Sequence, residues 1–132
     1  MKGFYLHVSS KSSIYRDNTA ASFTVSIQPE RVLTGNWYVT LVEMFLPSAT
    51  ELKPKYVLAN FIESTVVGET RRQLLRVVYE KKRHLTFSPE YYRVTDKILD
   101  TLEFELIDDK GALLNITGET QIRLHFAPWS AV

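Results

Sequence analysis

The sequence has no cysteine among its 132 residues, which excludes disulfide bonds, thiol catalysis and cysteine-ligated zinc. No stretch approaches the roughly eighteen consecutive apolar residues of a membrane-spanning helix, and the N-terminus lacks the apolar core of a signal peptide. Net charge is scarce too, because 16 Lys and Arg balance 15 Asp and Glu to leave +1. The whole chain therefore carries no field that would attract nucleic acid or a membrane. We expect synthesis in the cytoplasm without a signal peptide.

Aromatic residues, in contrast, are plentiful: the chain has seven Phe, seven Tyr and two Trp, and only five Gly. Aromatic and β-branched residues favour strands, so the composition indicates a β protein. The length is close to the common size of one domain and is sufficient for a real core without disulfides. No internal repeat or tail-like linker interrupts it. We expect a single domain over residues 1–132.

The clearest structural signal lies in residues 100–126, where two arms alternate between apolar and polar residues with the period of a half-buried strand. Polar turn residues and Gly111 separate the arms. This pattern predicts a β-ribbon formed by the last two strands. The residues expected to face inward are Leu102, Phe104 and Leu106 in the first arm and Ile122, Leu124 and Phe126 in the second.

Other segments also have strand character, and none sustains a helical period. Pro29 is expected to end the second strand, because proline cannot donate to a ladder. Pro89 predicts an edge strand, a broken strand or a loop around it. Residues 56–64 alternate poorly, so they are predicted as either a strand or a short helix. Residues 37–46 are apolar on both faces, as in a central strand or a strand with a bulge. The remaining predicted strands are residues 3–8, 22–27 and 70–79.

The number and spacing of these segments favour one architecture. About eight strands with turns every 8 to 12 residues or so are typical of sandwiches and barrels. The sequence therefore predicts an all-β antiparallel β-sandwich with a jelly-roll-like arrangement.

No combination of residues in the sequence predicts a catalytic, metal or cofactor site. The three histidines, His7, His84 and His125, lie far apart at outward strand positions, as solvated surface residues do. The Gly-x-Ser-x-Gly elbow of serine hydrolases and the glycine-rich phosphate loop are both missing. Glu103 and Glu105 fit an exposed strand face better than a pair of catalytic carboxylates. We expect a protein without enzymatic activity, metal or cofactor.

A local cluster of basic residues is the one candidate for nucleic-acid binding. Six of the 16 basic residues fall between positions 71 and 84, with tyrosines nearby, and such mixtures suit phosphate contact and base stacking. The alternative is a solvated charged face that protects a strand edge from pairing. The candidate residues are Arg71, Arg72, Arg76, Lys81, Lys82 and Arg83.

Aromatic residues in loops and near the C-terminus are candidates for contacts with other proteins. Trp129 lies beyond the final strand, where it either folds back over one end of the sandwich or inserts into a neighbouring subunit. Folding back is the expected arrangement. The full set of candidate partner-binding residues is Tyr15 and Arg16 in the first long loop, Tyr91 and Tyr92 near the broken strand, and Trp129.

Both ends of the chain carry recognisable motifs. The first 47 residues contain F-Y-x-x-x-x-S-x-S, then D-N-T before S-F-T-V, then G-x-W-x-V-x-L-V-E. Residues 100–126 contain D-T-L-x-x-x-L-x-D-x-x-G followed by an L-H-F strand. These stretches, somewhat over half of the chain, resemble the openings and endings of proteins encoded by Polinton/Maverick elements and adintovirus-like double-stranded DNA viruses.

The resemblance implies a virion protein, capsid or capsid-associated, in a lineage where jelly-roll components are common. It implies a minor capsid, cement or vertex component that assembles with copies of itself, with the major capsid protein, or with both, and it carries no catalytic residue. Two other functions stay open: a nucleic-acid-binding β module that uses residues 71–84, and a receptor- or carbohydrate-binding sandwich.

Overall fold

The computed structural model describes residues 2–11, 15, 17–48, 54–67 and 69–131. Within these residues the chain forms eleven strands and one short 3₁₀ helix. The strands are β1 (Phe4–Ser9), β2 (Ser22–Val32), β3 (Trp37–Phe45), β4 (Lys55–Ala59), β5 (Thr65–Val67), β6 (Thr70–Arg72), β7 (Leu74–Val78), β8 (His84–Thr86), β9 (Tyr92–Arg93), β10 (Ile98–Ile107) and β11 (Gln121–Pro128), and the 3₁₀ helix is Trp129–Ala131.

Nine of these strands form two antiparallel sheets that pack face to face. The first sheet has the order β1-β11-β3-β8, with β9 also paired to β3, and the second has the order β2-β10-β4-β7. Neighbours along the chain, such as β1 and β2 or β10 and β11, lie in opposite sheets, which is the strand order of a jelly roll. The predicted antiparallel sandwich is confirmed. No helix among the described residues is long and apolar enough to cross a membrane.

The core lies between the sheets and is built around three phenylalanines. The Phe61 ring lies 5.7 Å from that of Phe104 and 5.8 Å from that of Phe126, and all three side chains are fully buried. The inward residues predicted for β10 and β11 are all buried, with exposures of 1% or less. Alternation thus assigned the core face of both strands correctly.

Strand β3 is both a central strand and a bulged strand, the two alternatives predicted for a segment that is apolar on both faces. It lies inside the first sheet, between β11 and the short strands β8 and β9. Its register with β11 shifts by one residue between Leu41 and Glu43, so that Val42 is the extra residue of a bulge. Val39 and Leu41 point into the core before the bulge, and Met44 does so after it. The bulge therefore changes which residues of the strand face inward.

The predicted ribbon of residues 100–126 is wrong, because its two arms do not pair with each other. Strand β10 pairs with β2 and β4 in the second sheet, whereas β11 pairs with β1 and β3 in the first. Each arm thereby has a neighbour on both sides. The connector, residues 108–120, is long enough to cross the roughly 10 Å between packed sheets. Gly111 takes a positive φ of 85° in it, as the turn prediction requires.

The prediction that Pro29 ends the second strand is also wrong, since β2 continues to Val32. Leu99 pairs with Arg31 and Thr101 pairs with Ser26, so residues 27–30 stand opposite a single residue of β10. Proline is tolerated there because the bulged residues need not donate to the ladder and β2 is an edge strand.

The other segments follow the predictions more closely. Residues 56–64 contain a strand, β4, and not a helix, and the segment around Pro89 is a strand broken into β8 and β9. The segment predicted as one strand over residues 70–79 divides at Gln73, whose side-chain amide donates to the carbonyls of Asn60 and Ile62, each at 2.9 Å. The hairpin of β5 and β6 packs Val67 against a second apolar cluster formed by Leu58, Leu74 and Ile107.

Candidate functional site: the outer aromatic face

The outer surface of the first sheet carries a group of aromatic side chains, which we call the outer aromatic face: Tyr5, Tyr38, Tyr91, His125 and Trp129. Strand pairing assembles it, because Tyr5 on β1 stands opposite His125 on β11 and Tyr38 on β3 stands opposite Ala127. Residues 87–91, between β8 and β9, cross this surface, and the Glu90 amide donates to the Thr40 hydroxyl at 3.0 Å. That contact brings Tyr91 to the face.

His125 is the centre of the face. Its ring lies 4.5 Å from the ring of Tyr5, and its Nδ1 is hydrogen-bonded to the Tyr91 hydroxyl at 3.0 Å. The guanidinium of Arg123 lies 4.4 Å from the centroid of the same Tyr5 ring. These contacts fix the rings of three different segments relative to one another. The face is thus organised before any partner is bound.

Burial lowers the pKa of His125 below its ordinary value, since the charged imidazolium is harder to accommodate under the neighbouring rings. The neutral ring leaves Nδ1 able to accept from Tyr91. At neutral pH the positive charge beside the rings therefore comes from Arg123 and not from the histidine. A neutral aromatic centre with an arginine beside it resembles the composition of many protein interfaces.

Trp129 extends the face at the end of β11. Its backbone amide donates to the Asn36 carbonyl at 2.9 Å, and its ring lies 5.3 Å from that of Tyr38. The chain therefore holds Trp129 against Tyr38 of the first sheet. The indole itself still remains 63% exposed, and Tyr5 is 56% exposed. Two large rings are held in place but are not covered.

The two adjacent tyrosines predicted as partner contacts lie in different environments. Tyr91 belongs to the outer aromatic face, whereas Tyr92 pairs with the buried Val39 and packs against the core. The Tyr92 hydroxyl donates to the Glu90 carboxylate. Burial, together with this carboxylate, raises the pKa of Tyr92 to about 12. Of the pair, the geometry makes only Tyr91 available at the outer face.

The first-loop candidates are separate from this site in the sequence and only partly described. Tyr15 is half-buried in the loop between β1 and β2, and Arg16 lies outside the described residues. The loop also contains Asn18, whose side chain bonds to the β2 backbone. Nothing in the described contacts joins Tyr15 to the outer aromatic face.

The six basic residues proposed for nucleic-acid binding do not form one surface. Arg76 is paired with Glu90 at 3.2 Å, donates to the Ser88 carbonyl at 3.0 Å and lies over the Phe87 ring, with a side chain only 12% exposed. It fixes the 87–91 segment and is not open to phosphate. Arg76 therefore helps to hold the segment that carries Tyr91.

The other basic residues fall into two groups with different surroundings. Arg71 and Arg72 line a cleft of about 400 Å³ together with Glu103 and Glu105, so acidic side chains offset their charge. Lys81, Lys82 and Arg83 lie in the exposed loop between β7 and β8. Arg83 donates to the Leu46 carbonyl at 3.4 Å. Proximity in the sequence does not become a continuous basic surface in the fold.

All three histidines lie on the outer side of the first sheet, which the sequence did not reveal. His7 contacts Gln121 at 3.2 Å, and His84 contacts the Glu43 carboxylate at 2.7 Å while stacking on Phe45. Each has a different partner, and among the described residues no group of three or more His, Asp or Glu is placed to hold a metal ion. Long-range strand pairing, which alternation does not encode, brings them to one face.

No protein-family model matches the chain, and no curated protein matches it in sequence. Among solved structures, the chain is similar to the Drosophila NLP core, whose crystal structure provided insight into pentamer formation and histone binding, with a TM-score of 0.40 and 13% identity over 96% of this chain and 97% of that one. A likeness at this level carries no argument about what this chain binds.

Proposed function

We propose that the chain is a non-enzymatic structural protein of a double-stranded DNA virus, acting in the virion as a minor capsid, cement or vertex component. It assembles through protein–protein contacts with copies of itself or with the major capsid protein. The observation that carries the proposal is the outer aromatic face, with its exposed Tyr5 and Trp129.

This face has the composition of an interface centre. Aromatic residues and arginine dominate binding energy when a partner buries them, and charged groups around them form the rim. Here the rings have Arg123 beside them, and Glu90 and Arg93 lie nearby on the 87–93 segment. Exposed aromatic side chains with a polar rim around them are typical of a protein-interaction site.

The rings are also pre-organised, which favours tight association. The contacts of His125 with Tyr5 and Tyr91, and of Trp129 with Tyr38, restrict the side chains before binding. Less conformational entropy is then lost when a partner covers them, so more of the burial free energy appears as affinity.

Two further considerations support a virion role for this surface. The jelly roll recurs in viral capsid proteins, although it also occurs in lectins and cupins, so fold by itself does not assign a function. The motifs at both ends of the chain resemble those of Polinton/Maverick and adintovirus-like proteins. The dispersal of the basic residues, with Arg76 already paired, gives no comparable support to nucleic-acid binding.

Footprinting of aromatic side chains tests the proposed face. Hydroxyl-radical labelling of the chain, alone and bound to the major capsid protein of the same virus, is expected to show Trp129 and Tyr5 protected several-fold in the bound state, because a partner excludes solvent from them. Tyr79 is the matched control, since it is also 63% exposed but follows β7 in the second sheet.

The labelling of Tyr79 is expected to stay unchanged on binding. If Trp129 and Tyr5 react equally in the free and bound chain while Tyr79 becomes protected, the partner binds the opposite sheet, and the outer aromatic face is not the interface.

A further inference from the structure

Strand β1 is an open edge of the sandwich. It lies at the end of the first sheet, and within the described part of the chain β11 is its one strand neighbour. In an antiparallel pair, every second residue of an edge strand directs its N–H and C=O away from the neighbour. These groups of β1 are therefore available to another strand.

The edge of the second sheet on the same side is, by contrast, protected. At Thr24 the side-chain amide of Asn18 accepts from the strand N–H and donates to the strand C=O, both at 2.9 Å, in place of a neighbouring strand. At Ser22 the N–H donates to the Thr19 hydroxyl at 3.0 Å. Further along, Pro29 and its bulge interrupt the strand. Strand β2 cannot readily accept a partner strand.

The edges on the opposite side of the sandwich are also poor templates. In the first sheet that edge is split into β8, with three residues, and β9, with two, and Pro89 lies between them. In the second sheet β7 has five residues and includes Arg76, and its register with β4 shifts next to Val57. Short strands, proline and bulges are the usual means of preventing strand addition.

Strand β1 has none of these protections. Its six residues, FYLHVS, contain no proline, glycine, lysine, arginine or acid, and its register with β11 is continuous over all six pairs. Phe4 and Leu6 point toward the core but remain half-buried, and no strand of the described residues covers them from the side. The guanidinium of Arg31 on β2 lies 4.0 Å from the centroid of the Phe4 ring, so it covers part of β1 at the Phe4 end of the strand.

We propose that β1 pairs with β1 of a second copy of the chain, antiparallel across a two-fold axis, so that the two first sheets become one continuous sheet. The inference rests on the proposed function. It names the strand that forms one assembly contact, β1, and the partner, a second copy of the chain. A two-fold contact is isologous, so the same strand must complement itself.

The register centred on Leu6 satisfies this condition. Residues directly opposite each other in an antiparallel pair share a face, so the two residue numbers must have an even sum. With Leu6 opposite the Leu6 of the copy, inward residues meet inward residues, Phe4 against Val8, and outward residues meet outward residues, Tyr5 against His7. No like charges meet, and the exposed sides of Phe4 and Leu6 become covered.

Cysteine cross-linking tests this register cleanly because the chain has no cysteine of its own. The variants Tyr5→Cys and His7→Cys are mixed in equal amounts and oxidised mildly. Directly opposite residues lie about 4.5–5.5 Å apart, within disulfide reach, whereas the diagonal partners that a single variant could form lie roughly 7–8 Å apart. We expect the mixed disulfide dimer to exceed the two homodimers roughly tenfold.

The matched control is a mixture of Thr24→Cys and Ser26→Cys on β2, an equally spaced outward pair on the protected edge, which is expected not to link. A statistical mixture of the three β1 dimers, or no dimer at a concentration where the wild-type chain self-associates, overturns the proposal. Hydrogen exchange separates this failure from that of the proposed function. Protection of residues 4–9 by the major capsid protein instead of by a second copy overturns β1 self-pairing and leaves the virion role intact.

Discussion

Replacing Phe104 by alanine is expected to lower the free energy of unfolding by about 3–5 kcal/mol. Phe104 is 1% exposed, and its ring lies 5.3 Å from that of Phe23 and 5.7 Å from that of Phe61. Truncation removes the contacts of the ring with Phe23 and Phe61 and leaves a cavity in the core. Because the free energy of unfolding of such domains is about 5–15 kcal/mol, the variant loses a large share of its stability. Urea denaturation measures the change.

Phe45→Ala is the control for this core substitution. Phe45 has the same side chain but lies 37% exposed on the outside of the first sheet, stacked on His84. Removing the Phe45 ring is expected to lower the free energy of unfolding by clearly less than removing the Phe104 ring, since no buried cavity forms. Equal losses for the two variants would mean that Phe104 does not lie between the two sheets.

Replacing Trp129 by alanine is expected to weaken assembly by roughly 30-fold or more, since truncated aromatic anchors at the centre of an interface typically cost at least about 2 kcal/mol. The same change should leave the thermal midpoint of the free chain nearly unaltered, because the indole is 63% exposed and contacts only the Tyr38 ring among the described aromatic side chains. Titration calorimetry with the major capsid protein measures the affinity, and thermal denaturation of the chain alone measures the midpoint.

Tyr79→Ala is the matched control for Trp129→Ala, because it removes an aromatic side chain of equal exposure from outside the outer aromatic face. Unchanged binding is expected. A Trp129→Ala variant that binds as tightly as the Tyr79→Ala variant would remove Trp129 from the interface.

Much of the fold could be predicted from the sequence, because alternation reports directly on which residues of a strand are buried. It assigned the inward residues of β10 and β11, and it indicated the bulge in β3. It could not report which strands pair, because pairing depends on contacts between residues that are far apart in the chain. Hence β10 and β11 were expected to pair as a ribbon, although each is completed by other strands in its own sheet.

Less of the candidate site could be predicted, for the same reason. Tyr91 and Trp129 were identified as aromatic residues outside regular strands, but the residues beneath them, His125 and Tyr38, become their neighbours only through the pairing of β11 with β1 and β3. Pro29 was overestimated as a terminator, because a proline at a bulged edge position costs no ladder hydrogen bond. The basic residues of positions 71–84 are close together in the sequence, but the fold gives them different surroundings: Arg76 pairs with Glu90, and Arg71 and Arg72 line a cleft with acidic residues.

The central claim is that this jelly roll works by assembling with other virion proteins. Sedimentation velocity tests it most directly, with the purified chain measured up to high concentration alone and then mixed with the major capsid protein of the same virus. The account predicts a concentration-dependent oligomer, a complex with the capsid protein, or both. A chain that remains monomeric at every concentration and sediments independently of the capsid protein would contradict it.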